Sequence, residues 1–252
     1  MRQSERLSAI LERLTTDGSV AVVNVARELD VSPATVRRDL QLLESQHMLS
    51  RTHGGAVSDG VLYELPLRYK SARQPEEKRR IAREAASRVL DGFAIGLNGG
   101  TTTTEVARAL VDRPRLTVVT NALNIAAEIA VRPNLKLLVT GGVARPESYE
   151  LVGPIAEESL QGLNLSVAFI GVDGISVKAH LTTHHDIEAG TDRALMERAD
   201  KVIVVADSSK VGKAALSRIC RLSDVDELIT DEAADPLEVG ALQESGLKVT
   251  MV

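Results

Sequence analysis

Two groups of residues in this 252-residue chain have the types and spacing for chemistry. The first is Ser32-Pro33-Ala34-Thr35-Val36-Arg37-Arg38-Asp39-Leu40, followed by Gln41. On a helix, Thr35, Arg37, Arg38 and Gln41 face outward as a short cationic surface rich in donors. Such a face suits the major groove of duplex DNA, where Arg makes paired hydrogen bonds to guanine and Gln or Thr reaches other base edges or phosphates. The second group is Asn98-Gly99-Gly100-Thr101-Thr102-Thr103-Thr104. Its glycines admit close backbone approach, its hydroxyls add donors, and a helix starting there offers free amides with a favourable dipole, which together describe an anion cradle. The loop has neither a Walker lysine nor GxGxxG spacing. Nucleoside triphosphates and dinucleotides are therefore rejected, and a monophosphate fits better.

The first group needs a sharply started helix. Ser32 is a good N-cap, Pro33 fits the first helical position, and Val36, Leu40 and Leu43 form the stripe to be buried. Alone, a short amphipathic helix with two arginines is more often a solvated surface element. Its neighbours argue otherwise. Leu7, Ile10, Leu11 and Leu14 mark one helix, Thr16-Asp17-Gly18-Ser19 breaks it, Val25, Ala26 and Leu29 mark a second, and Leu29-Asp30-Val31 is a tight turn before the third. This is helix-turn-helix spacing. Met48 to Val57 alternates loosely and breaks at Gly54-Gly55, which predicts a small hairpin, a wing carrying Arg51 and His53 toward phosphates.

The second group needs a strand ahead of it. Beyond an aperiodic linker over residues 58–75, Glu76-Glu77-Lys78-Arg79-Arg80 opens a helix through Val89, and this charge run reads as a solvated face without functional role. Short apolar runs follow at 93–97, 116–120, 135–140, 167–172 and 201–206, with helical patterns between them. Alternating strands and helices predict an α/β domain on a mainly parallel sheet covered on both faces, with ligands bound outside the carboxyl ends of its strands. Those ends carry the Gly-Thr loop, Thr120-Asn121, Thr140-Gly141-Gly142-Val143-Ala144-Arg145, Gly171-Val172-Asp173-Gly174 and Asp207-Ser208-Ser209-Lys210. Each would pass as a common turn, but their coincidence at one sheet edge points to a ligand site.

The composition narrows the classes further. A hydrophobic fraction of 44% and mean hydropathy of −0.01 are those of a soluble globular protein, with no run long enough to span a bilayer and no apolar signal core, so a cytoplasmic location is expected. The formal net charge of −5 argues against indiscriminate coating of nucleic acid. Positive charge must then be concentrated locally, on two or more heads. Aromatic residues make up 2% of the chain with no Trp, leaving little for bases to stack on and weighing against single-stranded or RNA partners. The single cysteine, Cys220, reads as a small buried apolar residue.

At Ser32, Thr35, Val36 and Arg37 to Leu40, followed by His53-Gly54-Gly55-Ala56, the chain resembles the DeoR family of bacterial transcriptional regulators. Gly99-Gly100-Thr101-Thr102, Val119-Thr120-Asn121, Gly141-Gly142, Ala168 to Gly174 and Ala206 to Lys210 resemble the family's effector domain, which is related in fold to sugar-phosphate isomerases and CoA transferases. The resemblance implies a winged helix-turn-helix over residues 1–57, the linker at 58–75, and a sugar-phosphate-sensing and oligomerisation domain over 76–252. It implies DNA contacts from Ser32, Thr35, Arg37, Arg38, Gln41, Arg51 and His53. Effector contacts are expected from Asn98, Gly99, Gly100, Thr101, Thr102, Thr103, Asn121, Gly141, Gly142, Arg145, Asp173 and Lys210. The implied partners are operator DNA, a phosphorylated sugar and further copies of the chain in a homodimer or homotetramer, with no cofactor, metal or membrane. The segment Arg145 to Pro154 looks most like that of members sensing amino-sugar or hexose phosphates, and in the family's usual logic the sugar phosphate relieves repression of sugar catabolism or transport genes. Two departures stand out: relatives often have Asp-Lys where this chain has Ser166-Val167, and a lysine where it has Asp192. Arg145, Arg193 or Lys210 would then have to hold the phosphate, or the effector is differently charged.

Other readings compete. An isomerase or deaminase with a helical extension would use Asp173 as base and Lys210 as cation, with Glu188, His184 and His185 as further acid/base candidates. Ile175-Ser176-Val177 follows Asp173-Gly174 where isomerases carry more acids. An activator or architectural protein would use the second domain for assembly alone. The His184-His185 pair invites a metal, but sequence neighbours rarely converge on one ion, and exposed loop histidines are the simpler reading.

Overall fold

Capping and apolar spacing set the N-terminal elements. In the computed structural model, which describes residues 1–46, 48–58, 65–71 and 73–252, helix α1 (Gln3–Asp17) ends where Gly18 turns left-handed at φ 71° and donates its amide to the Leu14 carbonyl. Strand β1 (Ser19–Ala21) and helix α2 (Val22–Glu28) lead through a turn to α3 (Pro33–Ser45), whose Ser32 cap accepts from the Thr35 amide at 3.1 Å. Strands β2 (Ser50–Arg51) and β3 (Gly55–Val57) form the expected wing hairpin, and β3 also pairs with β1, giving an antiparallel sheet in the order β1-β3-β2. Ile10, Leu11, Leu14, Val36, Leu40 and Leu43 are buried together. Leu65 and Tyr69, the latter on the short helix α4 (Leu67–Lys70), join this core, and the Ser8 hydroxyl donates to the Tyr69 carbonyl at 2.6 Å. Residues 59–64 of the expected linker lie outside the described residues. The chain divides into two units at Arg73/Gln74.

The second unit begins with α5 (Pro75–Ala86) and continues as β4 (Ala94–Leu97), α6 (Thr101–Ala109), β5 (Thr117–Thr120), α7 (Leu123–Ile129) and β6 (Lys136–Val139). A hairpin of β7 (Val143–Arg145) and β8 (Glu150–Val152) precedes α8 (Pro154–Leu160), β9 (Val167–Ile170), β10 (Gly174–Ser176), β11 (His180–Thr183) and α9 (Asp186–Met196). The chain closes with β12 (Val202–Val205), β13 (Ser217–Cys220), β14 (Glu227–Thr230), α10 (Pro236–Glu244) and β15 (Lys248–Met251). Seven strands form one parallel sheet in the order β15-β14-β12-β9-β4-β5-β6. Alternate residues serve opposite faces: Val167, Phe169, Ile203 and Val205 pack with α5, α6 and α7, while Ala168, Ile170, Val202 and Val204 pack with α8, α9 and α10. From β4 the chain builds outward to β5 and β6, then returns to β9 on the other side of β4. The strand order reverses between β4 and β9, the crevice where open α/β sheets take ligands.

Candidate functional site

On α3 the inward side chains are Val36, Asp39, Leu40 and Leu43, leaving Arg37, Arg38 and Gln41 exposed. Asp39 has a role that sequence reading missed. Its buried carboxylate accepts from Arg6 Nε at 2.8 Å and Nη2 at 3.1 Å, tying α1 to α3. Residues 1–57 carry seven Arg and seven acidic residues. Arg6 is paired with Asp39, Arg13 with Glu28 at 2.5 Å, and Arg51 with Glu44 at 3.6 Å. Arg37 and Arg38 have no carboxylate partner among the described residues. Their charge is free for an external anion. Ser32 and Thr35 are occupied with each other, their hydroxyls 2.9 Å apart, so their part is to start the helix. Arg51 and His53 are exposed on the wing.

At the crevice of the second unit, Asn98 follows β4 and Gly171 follows β9. The Asn98 side chain donates to the Gly171 carbonyl at 3.0 Å and accepts from its amide at 2.8 Å, fastening the two strand ends. Gly99 then donates its amide to Glu150 Oε1 at 2.7 Å, and a Cβ at this position would lie 2.3 Å from Glu150 Cγ, so only glycine fits. Gly100, at φ 147°, caps α6. The Thr103 and Thr104 hydroxyls, expected to add donors for an anion, are instead buried and donate back to the Gly100 carbonyl at 3.1 and 2.6 Å. What the loop offers is backbone: the amides of the first helical turn at Thr101, Thr102 and Thr103 have no intrahelical acceptor.

Two hydrogen-bonded groups meet at this edge. In one, Glu150 Oε1 accepts from Gly99 and, at 3.3 Å, from Asn121 Nδ2. In the other, Arg145 donates to Glu188, Thr183 donates to Glu188 at 3.1 Å and lies 3.3 Å from Asp173, and Lys210 approaches Asp173 at 3.4 Å. Arg145, Asp173 and Lys210 thus belong to one chain of contacts. Gly141 and Gly142 stand apart, beside α8 and β8, where added Cβ atoms would meet Ile155 and Val152. Glu150 escaped sequence reading, as did Lys78, which is buried 3.7 Å from Asp207 rather than solvated. Spacing could have found Lys78, because positions 78, 81, 82 and 85 share one helical stripe. Arg193 is not at the crevice; it donates to the Ile219 and Arg218 carbonyls at 2.8 and 3.1 Å.

Burial pushes the Glu150 carboxyl well above its ordinary range, the charges of Asp192 and Glu188 push it further, and the Gly99 amide opposes them. Burial and the charge of Glu188 likewise raise Asp192, opposed by a hydrogen bond with Asn98. His184 Nε2 lies 3.8 Å from Asp173, whereas His185 caps α9 by accepting from the Ile187 amide. The two histidines serve different partners, and among the described residues no three His, Cys, Asp or Glu are placed to hold a metal.

A winged helix-turn-helix followed by a separate α/β unit places the chain among transcriptional regulators. Residues 6–60 match the DeoR-like helix-turn-helix domain, and residues 73–232 match the DeoR C terminal sensor domain. The chain belongs to the DeoR family, and the enzyme alternative is set aside on that ground. It is 36% identical over 253 residues to the HTH-type transcriptional regulator YulB of Bacillus subtilis, covering 100% of this chain and 98% of that one. It is 33% identical over 239 residues to the glycerol-3-phosphate regulon repressor of Escherichia coli, covering 95% and 94%. Ribose 5-phosphate isomerase A of Methanocaldococcus jannaschii overlays 54% of each chain with a TM-score of 0.40 at 20% identity, too distant to bear on activity. Among the described residues no helix is long and apolar enough to cross a membrane.

Proposed function

We propose that this protein represses genes of sugar uptake or breakdown, binding operator DNA through α3 and the wing and releasing it when a phosphorylated sugar occupies the strand-end crevice. Arg37, Arg38 and Gln41 read base edges, while Arg51 and His53 meet phosphates. Asn98 shapes the crevice, and the amides of Gly100 to Thr103 receive the phosphate. Asn121, Arg145, Asp173 and Lys210 line the approach for the sugar, with Gly141 and Gly142 keeping the neighbouring turn close. A homodimer or homotetramer presents more than one head. The observation that carries this reading is the adjacent, unpaired Arg37–Arg38 pair on a helix whose every other strong charge is neutralised internally or lies at its far end. That a relative is a glycerol-3-phosphate regulon repressor supports the reading of a repressor tied to the metabolism of a small phosphorylated compound. The ligand must favour the form with low DNA affinity, since equal affinity for both forms shifts nothing. Fluorescence anisotropy with DNA from upstream of the regulated genes tests it: sugar phosphates are expected to weaken specific binding at least about tenfold. No response to any sugar phosphate sinks the effector half.

A further inference from the structure

Next to the crevice acids on α9 stands a guanidinium that serves a different place. Arg193 lies across β13, donating to the Ile219 and Arg218 carbonyls at 2.8 and 3.1 Å, and so fixes one wall of a cavity of about 440 Å³ between the carboxyl end of α9 and β13. That volume falls within the range of about 300–1,000 Å³ typical of pockets for small molecules. Val202, the first residue of β12, lines it, so the cavity sits at the amino ends of the parallel strands, whereas the crevice lies beyond their carboxyl ends. Its floor is apolar. Met196, Val202, Ile219 and Cys220 are buried there, and burial pushes the Cys220 thiol up to about 12, so it stays neutral. Its rim is cationic. Arg218 and Arg221 flank the floor, both exposed, and neither has a carboxylate partner among the described residues. The two acids at the same rim are engaged elsewhere: Asp224 accepts from the Arg221 amide at 3.0 Å and the Ser223 hydroxyl at 3.2 Å, and Glu197 lies 3.7 Å from Arg198.

We propose that this cavity is a second binding site, for an organic anion: a carboxylate or phosphate group held by Arg218 and Arg221, on an apolar body resting against Met196 and Cys220. A guanidinium pairs with either group through parallel hydrogen bonds, and the charge of these two has no use inside the fold. Nucleic acid is the poorer match, because its backbone asks for a row of cations and brings no apolar body to the floor. The inference goes beyond the crevice reading and does not depend on it, although α9 joins the two places: Asp192 faces one and Arg193 walls the other.

Methyl NMR of the full chain, isotope-labelled at its methionines, tests this, because of the four only Met196 lines the cavity. The probes are 4-phenylbutyrate and phenyl phosphate, each set against its uncharged counterpart, 4-phenylbutanol and phenol. At least one anion is expected to move the Met196 methyl resonance saturably while Met1, Met48 and Met251 stay in place, with the uncharged counterpart binding about tenfold more weakly or worse. Which anion does so tells a carboxylate site from a phosphate site. Arg218→Gln combined with Arg221→Gln is expected to bring the anion down to the level of its uncharged counterpart at an unchanged melting temperature, and each single variant to do so in part. A Met196 resonance that neither anion moves overturns the proposal. So does an uncharged probe that binds as tightly as its anion, or an affinity that the arginine variants leave as it was. None of these outcomes bears on the crevice, whose response to sugar phosphates is read through operator binding.

Discussion

Asp39 and its neighbours Arg37 and Arg38 divide stability from recognition within three consecutive residues. Asp39 faces the core and holds Arg6 through two hydrogen bonds, so Asp39→Ala strands a guanidinium against a buried surface. Breaking such a pair costs about 3–5 kcal/mol, and chemical denaturation is expected to show a loss of that order. Arg37→Ala and Arg38→Ala touch nothing inside. Their melting temperatures should stay at the wild-type value while specific operator affinity falls, by roughly 1–3 kcal/mol for whichever reads a guanine. Unchanged affinity in both would remove α3 as the reading helix. At the crevice, Gly99→Ala drives a methyl into Glu150 and is expected to dislodge that side chain, which a change in the affinity for inorganic phosphate would reveal.

Helix α9 shows what an element is asked to do. Its inner face presents Glu188 and Asp192 to the crevice one turn apart, and its Arg193 donates to the carbonyls of Arg218 and Ile219 in the middle of β13. Removing one of two buried like charges relieves repulsion, so Asp192→Asn is expected to melt at a higher temperature than the wild type near pH 7. A lower melting temperature would mean that the hydrogen bond between Asp192 and Asn98 outweighs that repulsion. The same helix marks the limits of sequence reading. Its span and the strands β4, β5, β6, β9 and β12 were legible because they are uniformly apolar or cleanly periodic. Strand β14 was not, because it opens with Glu227, a buried acid held by Arg88, Lys201 and Lys248, which looks in sequence like the end of a strand. The short strands β7, β8, β10 and β11 carry too few residues for alternation to register. Glu150 was invisible as a site residue for that reason, since its place beside Gly99 depends on a hairpin returning over the sheet edge.

At the level of the whole molecule, the buried acids set a dependence on pH. Glu150 and Asp192 bind protons more tightly folded than unfolded, so the native state holds more protons and stability falls as pH rises above the ordinary carboxyl range of about 4. Glu227 acts in the opposite sense. Burial raises it, but hydrogen bonds from Arg88, Thr250 and Lys248 outweigh burial and bring it down to about 2. Its contribution is present above the ordinary range and is lost as pH falls toward 2. Melting temperature is therefore expected to climb from pH 8 to about 5 and to drop below about 4, with the upper limb flattened in Asp192→Asn. An upper limb equally steep in that variant would assign the effect elsewhere. Operator binding, resting on few cations per head in a chain of net charge −5, should weaken with added salt along a slope set by the small number of phosphates each head neutralises.

The placement of β4 between β5 and β9 has a consequence in time. Asn98 waits 73 residues for Gly171, so the crevice closes only when two thirds of the chain has left the ribosome. The head, whose contacts lie within the first 73 residues, is complete long before. Because domains tend to fold in the order they emerge, a nascent or prematurely terminated chain owns its grip on the operator before it owns any means of letting go.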